Sequence, residues 1–491
     1  MKTPLLLALL WCSSGFAGDL RSIVKEHRLS NGMLWLVVER PQAPVFTGFI
    51  RVRVGGSDEE PGYTGLAHLF EHMAFKGTPM LGTTDFEAEK KLLVQIAKTG
   101  DAIATLQRAG KGTTAQAVAL KAQLAVLSKS HGDLTDENAL AQLYSLNGAV
   151  GLNATTDKDS TSYFVSLPKN RLELWLTVEA QRLAAPVLRD FYTERDVVQE
   201  ERRMSIESNP GGAIFEELNQ IAFVSSPYRW PTVGYTEDLQ AMSLSKAQQF
   251  RDRYYAPGNA VGCLVGDVNF EQLKPMLEKT FGAIPARPVP PEPMFAEPPS
   301  RSQRRSTVFF DAAPRVYLAF RKPPPPAQDD FVFDVIEVLL GEGRTGRLHK
   351  RLVLKDRLVQ GIGVFGAPGS RLPNLFVIAA IPLKGVKNET VEKAIWDELE
   401  KLKTEKVTDH ELQKVRNRIT ADHARALDSN SGLASALTGD QVVIGDWRYS
   451  ADHPAKINQI EAPEISETAK KYFVPENSVV VDLARPALGA P

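Results

Sequence analysis

The feature of this sequence that most constrains its fold is a segment that occurs twice. Residues 253–261 read Arg-Tyr-Tyr-Ala-Pro-Gly-Asn-Ala-Val, and residues 471–479 read Lys-Tyr-Phe-Val-Pro-Glu-Asn-Ser-Val. Each copy follows a helical pattern and precedes an apolar, strand-like run. One short match can arise by chance, but its place at the end of each half of the chain predicts two copies of one fold.

The stretch between the two copies is rich in proline. Residues 284–293 read Ile-Pro-Ala-Arg-Pro-Val-Pro-Pro-Glu-Pro, a composition that favours a stiff, extended linker. We therefore predict a first domain over residues 20–283, a linker over residues 284–303 and a second, homologous domain over residues 304–487. At 491 residues the chain is long enough for two such cores.

The first half begins with strand signals that lead into a helix. Ser30-Asn31-Gly32 is a turn signal between two apolar runs, which predicts a β-hairpin. The run from Val45 to Val54 predicts the next strand, and a helical pattern follows it. This order indicates an α+β domain whose sheet packs against that helix.

Residues 86–147 differ from their surroundings in composition. They are rich in Ala, Leu, Lys and Gln, with helical periodicity in Phe86 to Ala97 and in Ala115 to Ser130. Residues 110–114, Gly-Lys-Gly-Thr-Thr, interrupt this pattern and predict a turn. We therefore predict a helical hairpin inserted into the first domain.

The helix after the second predicted strand carries His68-Leu69-Phe70-Glu71-His72. Residues four apart lie on one face of a helix, so His68 and His72 can bind one metal ion with Glu71 beside it. His-x-x-Glu-His is the inverted zinc-peptidase signature, in which the histidines are ligands and the glutamate is the general base. Thr64 is the expected N-cap. The alternative is a polar patch on a half-buried structural helix.

A catalytic zinc site usually has a third protein ligand, which folding must bring from elsewhere. The helix predicted over residues 193–208 offers four candidates, Glu194, Glu200, Glu201 and Glu207. Glu194 and Glu201 are two turns apart, and we expect them to share a buried stripe with Val197 and Val198. Buried carboxylates need partners, so we predict Glu201 as the third ligand and Glu194 as the carboxylate that orients a ligand histidine. In the alternative, all four glutamates lie on a solvated face beside arginines.

The first residues have the pattern of a secretory signal peptide. A basic start is followed by an apolar run, too short to span a membrane, and then by small residues before Gly18. We predict a signal peptide over residues 1–17 and export to the periplasm, with no transmembrane segment. A lipid anchor at Cys12 is a less favoured alternative, because Trp11 fits that processing site poorly. Cys263 would then remain as a buried core thiol.

Three segments resemble the pitrilysin/insulinase family of zinc peptidases. They are residues 65–78 around the histidine motif, residues 153–156 (Asn-Ala-Thr-Thr) and residues 194–201, which hold the Glu-x6-Glu pair. The pattern is close to that of the mitochondrial processing peptidase β subunit and its bacterial periplasmic relatives.

The resemblance implies a fold and a cofactor. The implied fold is α+β, with two homologous halves, each a mostly antiparallel sheet packed with helices, that enclose a chamber. The implied cofactor is one zinc ion (Zn²⁺) per chain, bound by His68, His72 and Glu201 and supported by Glu194.

The resemblance also implies an activity and a substrate site. The activity is that of a zinc-dependent endopeptidase acting on unfolded polypeptides or peptides, with zinc-bound water as the nucleophile and Glu71 as the general base. The strand around Asn153 and Ala154 is implied to pair with the substrate backbone.

The second half departs from the family pattern. Members that work alone carry an Arg and a Tyr seven residues apart there, and alignment puts Val353 and Gln360 at those positions. Zinc-bearing subunits of the family's heterodimers lack this pair, and their zinc-free partners supply it. We therefore expect a homologous zinc-free partner that carries the Arg/Tyr pair. The net charge of −1 gives no reason to expect a nucleic-acid partner.

Two other functions remain open. The first is a catalytically idle or regulatory subunit of a peptidase heterodimer, although idle members usually lose His or Glu from the motif, which this chain keeps. The second is a zinc hydrolase of another substrate class, against which the edge-strand segment and the duplicated architecture argue.

Overall fold

The structure is a computed structural model that describes residues 20–292, 295–341 and 343–486. The predicted signal peptide lies outside the described residues. The strands are β1 (Val24–Arg28), β2 (Leu34–Glu39), β3 (Val45–Val52), β4 (Val150–Thr156), β5 (Thr161–Pro168), β6 (Ala260–Gly266), β7 (Arg304–Phe309), β8 (Arg315–Lys322), β9 (Val359–Ala367), β10 (Asn374–Pro382) and β11 (Ser478–Ala484).

The helices of the first half include those of the inserted segment. They are α1 (Leu20–Ile23), α2 (Leu66–Met73), α3 (Phe86–Arg108), α4 (Ala115–Gly132), α5 (Ala139–Leu146), α6 (Leu172–Ala184), α7 (Phe191–Arg202), α8 (Pro210–Ala222), α9 (Thr236–Gln240), α10 (Leu244–Tyr254) and α11 (Phe270–Thr280). Those of the second half are α12 (Gln328–Gly341), α13 (Asn388–Thr404), α14 (Asp409–Ala426), α15 (Asn430–Val443), α16 (Tyr449–Gln459) and α17 (Ala462–Tyr472).

Within the described residues the strands form two sheets, and equivalent strands follow the same order in both. The first sheet runs β1-β2-β6-β3-β5-β4, and the second runs β7-β11-β8-β10-β9. Once β1 is set aside, both sheets contain one parallel pair, β2 with β6 and β7 with β11, followed by antiparallel pairs. The predicted α+β fold with two similar halves is therefore confirmed.

The repeated segments play the same structural part in both halves. Each forms a short helical turn that leads into the central strand, β6 or β11. Asn259 donates hydrogen bonds to the carbonyls of Tyr254 and Arg53, at 2.8 and 3.1 Å. Asn477 donates to those of Tyr472 and Arg321, both at 2.9 Å. One asparagine thus ties a helix end to the end of the neighbouring strand in each copy, which explains why the motif recurs.

The inserted segment is helical, as predicted, but its first helix is longer than its periodicity indicated. The predicted helix from Phe86 to Ala97 continues to Arg108, because the following turns still bury Thr99, Ile103 and Ala104. The insertion is held to the domain by Arg189, which is fully buried. The Arg189 guanidinium donates to the carboxylate of Glu89 at 2.7 Å and to the carbonyl of Thr78 at 2.9 Å.

One helix of each half packs against the sheet of the other half. α15, from the second half, places Leu433, Ala434 and Leu437 on the face of the first sheet that carries Phe49 and Cys263. In return, α8 of the first half covers the outer face of the second sheet. The prediction that Cys263 is a buried core thiol is confirmed.

A buried polar contact also joins the halves. Arg371, from the loop between β9 and β10, donates to the carboxylate of Asp58 at 2.8 Å. Asp159 accepts the backbone N–H groups of Ser370 and Arg371 at 2.6 and 3.0 Å. These groups are nearly inaccessible to solvent, so the contact requires the two halves to keep one relative orientation. None of the described helices is both long and apolar enough to cross a membrane.

We expect Leu437→Ala to destabilise both halves together. Leu437 is fully buried between α15 and the first sheet, and such a truncation costs about 2–5 kcal/mol of unfolding free energy. Urea denaturation should show this loss, and hydrogen exchange should show reduced protection in β3 and β6 as well as in α15.

Val94→Ala is the matched control, because Val94 is 65% exposed on α3 and the change should stay within about 0.5 kcal/mol. Unchanged protection of β3 and β6 in the Leu437→Ala protein would contradict the reciprocal packing of the two halves.

Candidate metal centre

The helix that carries the histidine motif is capped by a side chain that the sequence does not suggest. α2 begins after Gly65, whose φ of 89° lies in the left-handed region. The carboxylate of Glu59 accepts the backbone N–H groups of Gly65 and Ala67 at 2.9 and 2.7 Å. The prediction that Thr64 is the N-cap is wrong, because its hydroxyl donates to the carboxylate of Asp238 at 2.6 Å instead. Glu59 therefore satisfies the free N–H groups at the start of the helix.

Two histidines and one distant glutamate meet on a half-buried side of α2. The Nε2 atoms of His68 and His72 lie 3.6 and 3.7 Å from Oε2 of Glu201, which comes from α7. Ligand atoms of the three residues all lie within 4.8 Å of one another, and within the described chain no other such trio of His, Cys, Asp or Glu occurs. The three residues predicted as ligands are thus brought together.

The arrangement fits a zinc ion. In a tetrahedral zinc site with ligands at about 2.0–2.1 Å, the ligand atoms are roughly 3.3 Å apart. The two separations between Glu201 and the histidines exceed this by a few tenths of an ångström and are too long for direct hydrogen bonds. Burial and the neighbouring His72 lower the pKa of His68 to about 4, which keeps its imidazole neutral and able to ligate.

Glu194 contacts the Nδ1 side of the His72 imidazole, whereas Glu201 lies near Nε2. Its Oε2 lies 3.2 Å from Nδ1 of His72, and its Oε1 lies 2.7 Å from Nζ of Lys76. The hydrogen bond with His72, together with Lys76, lowers the pKa of Glu194 to about 2 despite its partial burial. Burial lowers the pKa of His72, but the hydrogen bond to Glu194 and the charge of Glu201 outweigh this effect and raise it.

Glu71 lies beside the trio without belonging to it. Burial raises the pKa of its carboxyl group, against the opposing effects of a hydrogen bond from Thr156 and of the nearby His72. A carboxylate with a raised pKa is suited to take up a proton near neutral pH. Thr156, at the end of β4, and Lys76 are site residues that sequence reasoning missed. Both lie in segments that it singled out, but nothing in their spacing marks them.

The other two candidate glutamates, Glu200 on α7 and Glu207 in the turn that follows α7, point away from the site. Glu200 pairs with Arg203 at 2.6 Å on the surface, and Glu207 lies 3.4 Å from Arg202. Val198 is fully buried, as expected, but Val197 is 41% exposed. The expectation that both valines share the buried stripe is therefore wrong. The buried face of α7 is narrow enough to include Val198 but not the adjacent Val197.

β4 is an edge strand next to α2. Among the described strands it pairs with β5 alone, where Asn153 is opposite Phe164 and Ala154 is opposite Tyr163. Asn153 is exposed and Ala154 is buried. The register is irregular between Val150 and Asn153. The free side of β4 could accept a further extended strand.

Val353 and Gln360 of the second half stand where the Arg/Tyr pair would be. Val353 packs against the core of the second half, and Gln360 is exposed on β9, at the edge of the second sheet. Neither side chain offers the charge of an arginine or the phenol of a tyrosine.

Two sequence models of one peptidase family match the chain. The model described as Insulinase (Peptidase family M16) matches residues 36–100 and 127–234. The model described as Peptidase M16 inactive domain matches residues 241–419. Together they span well over half of the chain, and the unmatched residues 101–126 fall within the helical insertion.

Named relatives and solved structures agree with this match. The zinc protease PqqE of Helicobacter pylori is 27% identical over 457 residues, which cover 89% of this chain and 88% of that protein. The crystal structure of a protease from Helicobacter pylori has a TM-score of 0.79 at 25% identity, covering 94% of this chain and 99% of that one. The periplasmic protease PqqL from Escherichia coli shares the fold, with a TM-score of 0.69 at 14% identity over 94% of this chain and 48% of that one. The chain therefore belongs to the insulinase family of peptidases, peptidase family M16.

Proposed function

We propose that this chain is a zinc-dependent endopeptidase that hydrolyses peptide bonds of unfolded polypeptides or peptides. The observation that carries the proposal is the convergence of His68, His72 and Glu201 within 4.8 Å, with Glu71 beside them. The zinc proteases among the relatives support the same activity.

His68, His72 and Glu201 would hold the zinc ion. When bound, zinc acidifies water and polarises the scissile carbonyl. Glu71 takes the proton of the attacking water and later passes it to the leaving amine nitrogen. Thr156, at the end of β4, donates a hydrogen bond to the Glu71 carboxylate. The strand β4 would therefore position both the general base and the substrate strand.

Glu194 and Lys76 act on the site through His72. The Glu194 carboxylate fixes the Nδ1 side of the imidazole, and the ammonium of Lys76 neutralises that carboxylate. The ring is thereby held with Nε2 toward Glu201. This supports Glu194 as a positioning residue rather than a ligand.

The free edge of β4 supports an extended substrate. A peptide that adds to this edge would satisfy the outward-facing backbone groups of β4 and run past Glu71 and Thr156. A folded protein has few free strands to offer, so unfolded segments or peptides are the favoured substrate class.

We also propose a homologous, zinc-free partner that carries the missing Arg/Tyr pair. The apolar packing of Val353 and the surface position of Gln360 support this, because neither side chain supplies the charge of an arginine or the phenol of a tyrosine. We further propose export to the periplasm, supported by the leader-like residues 1–17 and by the periplasmic source of the structural neighbour PqqL.

Glu71→Gln should reduce peptide cleavage by about 10²–10⁴-fold, because the variant lacks the proton acceptor but keeps the ligands. Metal analysis should still find one zinc per chain. Glu200→Gln is the matched control, since Glu200 lies on the surface of α7, and it should cleave at the wild-type rate. A wild type that is zinc-loaded yet cleaves no unfolded peptide, alone or with partner, would favour an idle subunit.

Glu201→Gln and His72→Ala should lose the bound zinc, whereas Glu194→Gln should keep it with about 10–100-fold weaker affinity. Metal content after dialysis against a graded series of chelator concentrations measures the difference. If Glu194→Gln lost zinc as completely as Glu201→Gln, Glu194 would have to be counted among the ligands.

Adding the partner should raise the cleavage rate by about 10²-fold, the usual effect of supplying one group that stabilises the tetrahedral intermediate. The partner to test is a homologous chain from the same organism that lacks His-x-x-Glu-His and carries the Arg/Tyr pair. The same partner with its arginine changed to alanine is the control. Full activity of the isolated chain, unchanged by the partner, would rule out the split arrangement.

A further inference from the structure

The helix α7, which brings Glu201 to the histidines, is attached near both of its ends. The Glu201 side chain is 40% exposed and too far from both histidines for a hydrogen bond, so its place depends on how α7 is held. Near the start of α7, Glu194 contacts His72 and Lys76. The second attachment is Arg202, the last residue of α7. A helix tied at one point can pivot about it, so Glu201 needs both attachments to stay opposite the histidines.

The guanidinium of Arg202 uses all three of its nitrogen atoms. Arg202 is only 8% exposed. Its Nη1 donates to the carbonyl of Gly234 at 2.8 Å, and its Nε donates to the hydroxyl of Thr236 at 3.1 Å. Its Nη2 donates to the carboxylate of Glu216, on α8, at 3.1 and 3.2 Å. Because arginine presents its donors in a rigid fork, these bonds fix the end of α7 against residues 232–238, which we call the bridging segment.

The bridging segment also holds the start of α2. The carboxylate of Asp238 accepts the backbone N–H and the hydroxyl of Thr64 at 3.0 and 2.6 Å. The backbone N–H of Tyr235 donates to the same hydroxyl at 2.9 Å. Gly234, with a φ of 87°, lies so close to Gly65 that a Cβ atom there would come within 2.6 Å of the Gly65 Cα. One short segment therefore contacts the helix that carries the two histidines and the helix that carries the glutamate.

The bridging segment reaches the metal centre itself. Thr232 and Val233 line a cavity of about 560 Å³ together with His68 and Glu201. A shift of this segment would therefore change the spacing of the two helices and the shape of the cavity at once. Arg202 is the side chain of α7 that opposes such a shift.

We propose that Arg202 is a positioning residue of the metal centre, which raises the affinity for zinc by holding Glu201 against the two histidines through the bridging segment. Arg202 is not a ligand in this role and acts through Gly234 and Thr236. The inference rests on the proposed zinc site and does not depend on cleavage. Without Arg202 the three ligands remain, but α7 is held to α2 only through Glu194.

Arg202→Met should weaken zinc binding by about 10- to 100-fold, the usual cost of losing a group that supports a ligand. Methionine keeps an apolar stem and loses every donor. Competition with a chromophoric chelator measures the dissociation constant on the full-length chain, without substrate. Arg203→Met is the matched control, because Arg203 is exposed and pairs with Glu200 on the surface. It should bind zinc as the wild type does.

The absorption spectrum of bound Co²⁺ gives a second readout. Co²⁺ can replace zinc, and the intensity of its visible bands depends on coordination geometry. Arg202→Met should change this spectrum, and Arg203→Met should not. Arg202→Lys keeps the charge but has a single donor nitrogen, so it should recover part of the lost affinity.

Leu399→Ala separates positioning from general stability. Leu399 is fully buried in the core of the second half, so its truncation should lower the urea midpoint of unfolding without changing zinc affinity or the Co²⁺ spectrum. Thr236→Val is a second variant should Arg202→Met not fold, and circular dichroism checks both. It removes one acceptor of Arg202 and should weaken zinc binding by about 2- to 10-fold.

Unchanged zinc affinity and an unchanged Co²⁺ spectrum in Arg202→Met would overturn the inference, as would unchanged affinity in Thr236→Val if only that variant folds. An equal loss of affinity in Arg203→Met or in Leu399→Ala would overturn it as well, because the effect would then not be specific to this contact. A wild type that binds zinc but cleaves no peptide would count only against the proposed activity.

Discussion

Each sheet of this protein has two apolar faces, and its own half covers only one of them. The other face of the first sheet is buried by α15, and the other face of the second sheet is buried by α8. Neither half could fold alone without exposing an apolar layer to water, which is strongly unfavourable. This exchange of helices joins the two halves into one folding unit. α2 packs on the face of the first sheet opposite α15, so the candidate metal centre depends on a sheet that both halves stabilise.

The duplication preserved the framework and let the chemistry diverge. Asn259 and Asn477 make equivalent hydrogen bonds in the two halves, and the strand orders match. Yet the helix after the second strand carries His68 and His72 in one copy and Asp330 and Asp334 in the other. Backbone geometry is set by packing and turns that both copies share, whereas ligand identity depends on a few side chains that can change without disturbing the sheet.

Buried carboxylates position the reactive elements of the first half. Glu59 caps the helix that carries the histidines, Glu194 orients His72, and Glu89 anchors Arg189 beneath the insertion. Each of them is tied to N–H groups or to a cation, which is the condition under which burying a charge is tolerated. Such fixed charges keep the imidazoles in place before any ion or substrate arrives, so little reorganisation is needed on binding.

The sequence by itself determined the two-copy α+β architecture and the helix with two histidines and a glutamate. These follow from periodicity, turn chemistry and spacing along one element, which are local properties. Only the tertiary structure decided that Glu59, not Thr64, caps α2. It also decided that Val197 is exposed and that Thr156 reaches Glu71. Each of these depends on how one element is rotated against another, and that rotation is set by packing between residues far apart in the chain.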